Sequence, residues 1–96
     1  MKLPSANKYP KQFIIDSEVY KIQFVDTILR DKGCMGVCDS ETRIIKIKNG
    51  QSASETLATL IHELLHAMEL EYDIKISHKN VYLLEKALLN LLLQNF

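Results

Sequence analysis

The stretch that decides the fold is Thr59 to Tyr72, TLIHELLHAMELEY, which sets His62 and His66 into an otherwise largely apolar run. Leucine, isoleucine, alanine and methionine surround both histidines at helical spacing, so the run predicts a helix that is buried on several sides. Ser52 and Glu55 form the Ser-x-x-Glu pattern of a capping box. This pattern predicts a helix from about residue 53 to about residue 72.

The segments on either side of this helix predict a sheet before it and one more helix after it. β-favouring runs at residues 12–15 and 18–25 flank Asp16-Ser17, which predicts a hairpin. A short strand is predicted near residues 35–38. TRIIKIK, residues 42–48, predicts a strand at a sheet edge, where lysines discourage unwanted pairing.

Ser77 can cap a second helix over about residues 78–95. The expected fold class is therefore α+β: a small antiparallel or mixed sheet of three to four strands, followed by two helices. At 96 residues the chain is expected to form a single domain. Residues 1–11 are expected to be an irregular arm, and Arg30 to Gly33 a turn.

Composition and charge exclude several classes of partner. The formal net charge is zero, so there is no basic excess to neutralise phosphates, and we expect no nucleic-acid partner. No apolar run reaches the length of a bilayer span, so we expect no membrane partner.

The two cysteines, Cys34 and Cys38, are expected to be free thiols and not a disulfide-bonded pair. In an extended segment, residues four apart lie about 13 Å from each other, too far for a disulfide bond. Free thiols favour a reducing compartment, and the N-terminus has no apolar signal segment. A cytoplasmic location is expected.

The string HELLH, residues 62–66, predicts a zinc site. Positions i and i+4 share one face of a helix, so both imidazoles can reach one zinc ion at about 2 Å. Glu63 projects about 100° from His62 and can act as general base toward a zinc-activated water. The alternative is that both histidines are packing residues, but two buried imidazoles without a shared partner are costly.

A catalytic zinc usually has three protein ligands, and the HExxHxxGxxH continuation is absent here. Glu85 is the best candidate for the third ligand, because a lone acid among leucines needs a partner. His78 is the rival ligand, and it could instead donate a hydrogen bond to substrate. The Tyr82 hydroxyl could point into the cleft and polarise a carbonyl.

Two further acids follow the second histidine on the same helix. Glu69 lies on the same helix face as the two histidines, so it could orient a metal-binding histidine without binding the metal itself. By default, Glu69 and Glu71 are both expected to be exposed acids in the last turns of the helix.

On these residues the chain resembles the zincin metallopeptidases of the gluzincin type, in which a second helix supplies a glutamate after the HExxH helix. Its length is similar to that of the minigluzincins. ImmA/IrrE-like peptidases are another possible relative. SprT-like proteases, which use a third histidine, are also similar, and His78 would be the match there. The resemblance implies a zinc-dependent endopeptidase with ligands His62, His66 and Glu85 and general base Glu63.

The resemblance also implies that a peptide or protein substrate lies extended along TRIIKIK by strand addition. Two departures from the gluzincin pattern bear on activity. Leu89 stands where many gluzincins carry an acid that orients a zinc histidine, and the chain lacks a lower subdomain. Activity could therefore be latent, with residues 1–11 or 94–96 as candidates for covering the cleft.

Two other readings remain open at this point. In one, zinc only stabilises a small core, and the protein is a non-catalytic adaptor or inhibitor domain. In the other, no metal binds.

The leucines of the second helix exceed what a small sheet and one helix can cover, which raises the prospect of a homodimer.

Overall fold

The computed structural model describes residues 8–28 and 33–95. Four strands come first: β1 (Gln12–Ile15), β2 (Glu18–Val25), β3 (Gly36–Asp39) and β4 (Ile44–Lys48). Two helices follow: α1 (Ala53–Glu71) and α2 (His78–Asn95). The expected α+β class, with a mixed sheet of four strands followed by two helices, is confirmed.

β1 and β2 form the predicted hairpin, closed by Asp16-Ser17. Both turn residues have positive φ, 49° and 68°, as a two-residue type I′ turn requires. Ile15 pairs with Glu18, which sets the register. Phe13 and Ile15 therefore face the core, while Ile14 points outward and is largely exposed.

The sheet order is β1-β2-β4-β3, with β2 parallel to β4 and β3 antiparallel to β4. The prediction that TRIIKIK is an edge strand is therefore wrong, because β4 is paired on both sides. Its lysines are explained by the two faces of the sheet: Ile45 and Ile47 are fully buried, and Lys46 is exposed on the opposite face. Arg43 lies before β4 in a left-handed turn conformation (φ 54°), which is why it breaks the alternation.

The free edge on this side of the sheet belongs to β3. It is only four residues long and, among the described residues, it pairs with β4 alone. Its inward side, which carries Gly36, packs against α1. This places an unpaired strand edge beside the helix that holds both histidines.

α1 begins as predicted. The Ser52 hydroxyl accepts from the Glu55 N–H at 3.2 Å, and the Glu55 carboxylate accepts from the Ser52 N–H at 3.2 Å. Both halves of the capping box are therefore formed. The buried face of the helix covers the sheet and, together with it, forms one core that contains Leu57, Leu60, Ile61, Leu65 and Ala67.

The other end of α1 is fixed to the sheet by Glu71. Its carboxylate accepts hydrogen bonds from the Tyr20 hydroxyl and from Arg43 Nε, the latter at 3.1 Å. The Glu71 side chain is 9% exposed, so the prediction that this acid is exposed is wrong. The sequence pattern missed it because both partners are far away along the chain.

Glu71 predicts a loss of stability in acid. The Tyr20 and Arg43 hydrogen bonds hold the pKa of Glu71 below its ordinary value of 4.5. Its contribution is therefore present above about pH 4.5 and is lost as the pH falls through the lower folded-state value. We expect the urea midpoint to drop between pH 7 and pH 3, and to drop less in Glu71→Gln, which cannot ionise. An equal drop in both proteins would contradict this role.

α2 begins at the predicted cap, with the Asn80 N–H donating to the Ser77 hydroxyl at 3.2 Å. Val81 is fully buried, and Leu89 and Leu92 pack against the core. The outward leucines Leu83, Leu84, Leu88 and Leu91 stay exposed. A homodimer through this surface stays a prediction, which light scattering in solution would check.

Several expectations fall partly or wholly outside the described residues. Residues 1–7, residue 96 and most of the Arg30–Gly33 turn belong to this group. Residues 8–11 are irregular, but Tyr9 is buried and its ring lies 6.0 Å from that of Phe24. In the described part of the chain, neither helix is both long and apolar enough to cross a membrane.

Candidate metal centre

His62 and His66 converge on one point. One helical turn separates them on α1, and their Nε2 atoms lie 3.1 Å apart. Two nitrogens that each sit about 2.1 Å from one tetrahedral zinc ion are separated by about 3.4 Å. The observed separation is therefore close to that of two ligands of a single ion.

The outer nitrogens of the two rings face carboxylates. His66 Nδ1 lies 2.9 Å from Glu69 Oε1, within hydrogen-bonding distance. His62 Nδ1 lies 3.8 Å from Glu85 Oε2, which is close but longer than a hydrogen bond. A carboxylate or carbonyl behind each histidine is the usual arrangement around zinc ligands, because it fixes the ring and its tautomer.

The 2.9 Å contact with Glu69 favours hydrogen on Nδ1 of His66, which leaves a lone pair on its Nε2. His62 Nε2, at 3.1 Å, either donates a hydrogen to this lone pair or carries a lone pair of its own. Two lone pairs 3.1 Å apart repel each other unless a proton or a cation lies between them. Burial and, to a lesser extent, the neighbouring His66 hold the pKa of His62 below its usual range. An added proton is therefore disfavoured near neutral pH. The pair therefore suits a cation that binds imidazole nitrogen.

Glu63 lies beside this pair, in the contact between α1 and β3. It is 7% exposed, and Gly36 of the edge strand lies directly against it. Burial and the neighbouring carboxylates of Glu63 and Asp39 raise the pKa of Cys38 to about 11. The Cys38 thiol is therefore protonated near pH 7. Cys34 and Cys38 are both free, as predicted.

Gly36 allows the close approach of β3 to Glu63. A Cβ at this position would lie 2.6 Å from Thr59 Cγ2 and 3.2 Å from Glu63 Oε2. The first distance is too short for any real contact, so a larger residue forces the strand and helix apart. The edge strand and the carboxylate can be neighbours only because this residue is glycine.

We therefore expect Gly36→Ala to destabilise the fold by about 1–3 kcal/mol, the usual cost of overpacking. Thr59→Ser removes the clashing methyl and keeps the hydroxyl that donates to Gln51 Oε1 at 2.8 Å. The double variant should recover most of the lost stability in urea unfolding, while Thr59→Ser alone should change little. Additive losses in the double variant would contradict the packing argument.

The three candidates on α2 lie close to the histidine pair, on different sides of it. Glu85 contacts His62 at Nδ1, on the edge of the ring away from the converging Nε2 atoms. The His78 ring lies 6.2 Å from that of His66. The Tyr82 ring lies 5.1 Å from that of His62, and the residue is 60% exposed.

The described part of the chain holds no third ligand in place beside the two histidines. Across residues 8–28 and 33–95, no group of three or more His, Cys, Asp or Glu side chains is arranged to hold a metal ion. The histidine pair brings two converging donors, and Glu85 would have to turn from the Nδ1 edge to the Nε2 side. Glu85 and His78 as third ligands both stay predictions.

A cleft runs along β3 over the histidine pair, and we call it the histidine cleft. It consists of two adjoining pockets that share Cys34, Gly36, His62 and Glu63. Tyr82 and Glu85 line one end. The other end is lined by, among others, His66, Glu69, Lys75 and His78.

Comparisons with models of known families, with curated proteins and with solved structures found no match to this chain. The site is therefore interpreted from its own geometry. The likeness to gluzincins rests on the HELLH residues and on the order of the elements.

Proposed function

We propose that the protein is a zinc-dependent peptidase. The observation that carries the proposal is the convergence of the His62 and His66 Nε2 atoms at 3.1 Å, beside the buried carboxylate of Glu63. Imidazole nitrogens and carboxylate oxygens are donors that zinc accepts. His62 and His66 would hold the ion, and Glu85 is our candidate for the third ligand.

When bound, zinc lowers the pKa of a water molecule toward 7 and polarises a carbonyl. Glu63 would accept the proton of the attacking water and later pass it to the leaving amine. Its burial against Gly36 limits the motion of the side chain. His78 and Tyr82, next to the two histidine rings, are candidates for polar contacts with substrate.

The substrate class is a peptide or protein in extended conformation. β3 has a free edge and lines the histidine cleft, so strand addition would occur there. Strand addition along TRIIKIK, which the resemblance implies, is excluded because β2 and β3 already pair with the two edges of β4. The free thiols of Cys34 and Cys38 support a reducing compartment, and we propose the cytoplasm.

The choice between Glu85 and His78 has a direct test. We expect Glu85→Ala to weaken zinc binding by at least about 100-fold, because it removes both a candidate ligand and the carboxylate beside His62. His78→Ala should weaken it by less than about threefold. Chelator competition at fixed pH measures both, and the reverse order would make His78 the ligand.

Hydrolysis itself is tested with zinc-loaded wild type and an unfolded protein substrate, by counting new amino termini. The control is the His62→Ala/His66→Ala double variant at the same concentration. New termini with the wild type alone support the proposal. Bound zinc without turnover would contradict it and favour an adaptor or inhibitor domain. A wild type that binds no zinc would leave the histidines as packing residues.

A further inference from the structure

Glu69 uses both of its carboxylate oxygens, and the two contacts lead to different parts of the fold. Oε1 lies 2.9 Å from His66 Nδ1. Oε2 accepts from the backbone N–H of Ile76 at 3.2 Å. The side chain is 21% exposed, so the default expectation of an exposed acid is wrong, and water competes only partly for these contacts.

Ile76 belongs to the connection that enters α2. Its neighbour Ser77 caps α2 through its hydroxyl, which accepts from Asn80. The backbone of Glu69 holds the same connection, because its carbonyl accepts from the Ile74 N–H at 3.1 Å. One residue thus contacts both the His66 ring and the connection that leads into α2.

We propose that Glu69 is a positioning residue that couples the His66 ring to the entry of α2. α2 carries His78, Tyr82 and Glu85, so the coupling sets those side chains relative to the histidine pair. Glu69 also provides a carboxylate that orients one of the two histidines, a role that many gluzincins give to an acid at the position of Leu89. The coupling itself stands on the two Glu69 contacts; only its consequence for zinc rests on the proposed function.

A carboxylate is needed because both partners donate hydrogen. Gln has one acceptor oxygen and one NH₂ group, so it can satisfy His66 Nδ1–H or the Ile76 N–H, but not both. Asp retains two acceptors on a side chain one carbon shorter. Glu69→Gln is therefore a nearly isosteric change that cannot keep both contacts while His66 carries hydrogen on Nδ1.

The test uses the metal-free protein and two readouts by nuclear magnetic resonance. The ¹⁵N shifts of His66 report its tautomer, and hydrogen exchange reports protection of the Ile76 amide. In Glu69→Ala we expect His66 to lose its preference for hydrogen on Nδ1. We also expect Ile76 to exchange about tenfold faster, as for the loss of a charge-assisted hydrogen bond.

A double-mutant cycle tests the coupling. Glu69→Gln should lower Ile76 protection in the wild-type background. It should lower it much less in His66→Ala, where the single amide oxygen is free to accept from Ile76. Equal effects in the two backgrounds would overturn the coupling, and so would Glu69→Ala leaving either readout unchanged.

Zinc affinity tests the proposed function separately from the coupling between His66 and the entry of α2. Zinc affinity should fall about 10–100-fold in Glu69→Gln, as for other residues that orient a metal ligand. Glu71→Gln is the control, since it removes a carboxylate from the same helix, away from the histidine cleft. It should lower stability with little change in zinc affinity. A wild type that binds no zinc defeats the proposed function, while the tautomer and exchange results still decide the coupling.

Discussion

Glu63→Gln is expected to abolish detectable peptide hydrolysis while the protein still binds zinc. The amide has nearly the same shape as the carboxylate, so it fits the space against Gly36, but it cannot accept the proton of the attacking water. General-base catalysis contributes about 10²–10⁴-fold, so the rate should fall by at least about 100-fold. The rate of appearance of new amino termini, measured beside zinc content, gives both quantities.

The matched control for this variant is Glu55→Gln. Glu55 lies in the first turn of the same helix, where its side chain accepts from the Ser52 N–H, away from the histidine cleft. It should retain both zinc and hydrolysis. A Glu63→Gln protein that hydrolyses peptides at the wild-type rate would exclude Glu63 as the base.

Zinc removal is expected to lower the melting temperature sharply. A ligand present at a thousandfold excess over its Kd stabilises the folded state by about 4 kcal/mol. In a domain of this size each kcal/mol shifts Tm by roughly 4–8 °C. The zinc-loaded protein should therefore melt at least about 15 °C above the protein treated with a chelator.

Scanning calorimetry of His62→Ala/His66→Ala provides the comparison. Without the two imidazoles the melting temperature should respond to neither zinc nor chelator. A wild-type melting temperature that does not respond to zinc would contradict metal binding. An equal response in the double variant would place the metal elsewhere on the chain.

Local sequence patterns predicted the secondary structure because each element carries its own signals. The capping box at Ser52 fixed the start of α1, and Asp16-Ser17 marked the hairpin. Strand order is a different kind of information. The parallel pairing of β2 with β4 depends on contacts across the whole sheet, so the lysines of TRIIKIK wrongly predict an edge strand.

The residues of the candidate site also differ in whether local sequence patterns could predict them. HELLH was visible because its spacing matches the helix repeat, and Glu69 was visible as an acid on the same face. Gly36 was not, because nothing local distinguishes a glycine needed for close approach from one in a loop. Glu71 was mistaken for a surface acid, because its partners Tyr20 and Arg43 come from the sheet.

The most direct test of a zinc site at the histidine pair is the zinc content per chain. Elemental analysis of wild type and His66→Ala, both loaded with zinc and then dialysed, gives this value. We predict close to one zinc per chain in the wild type and close to none in the variant. No zinc in the wild type, or equal zinc in both proteins, would contradict the account.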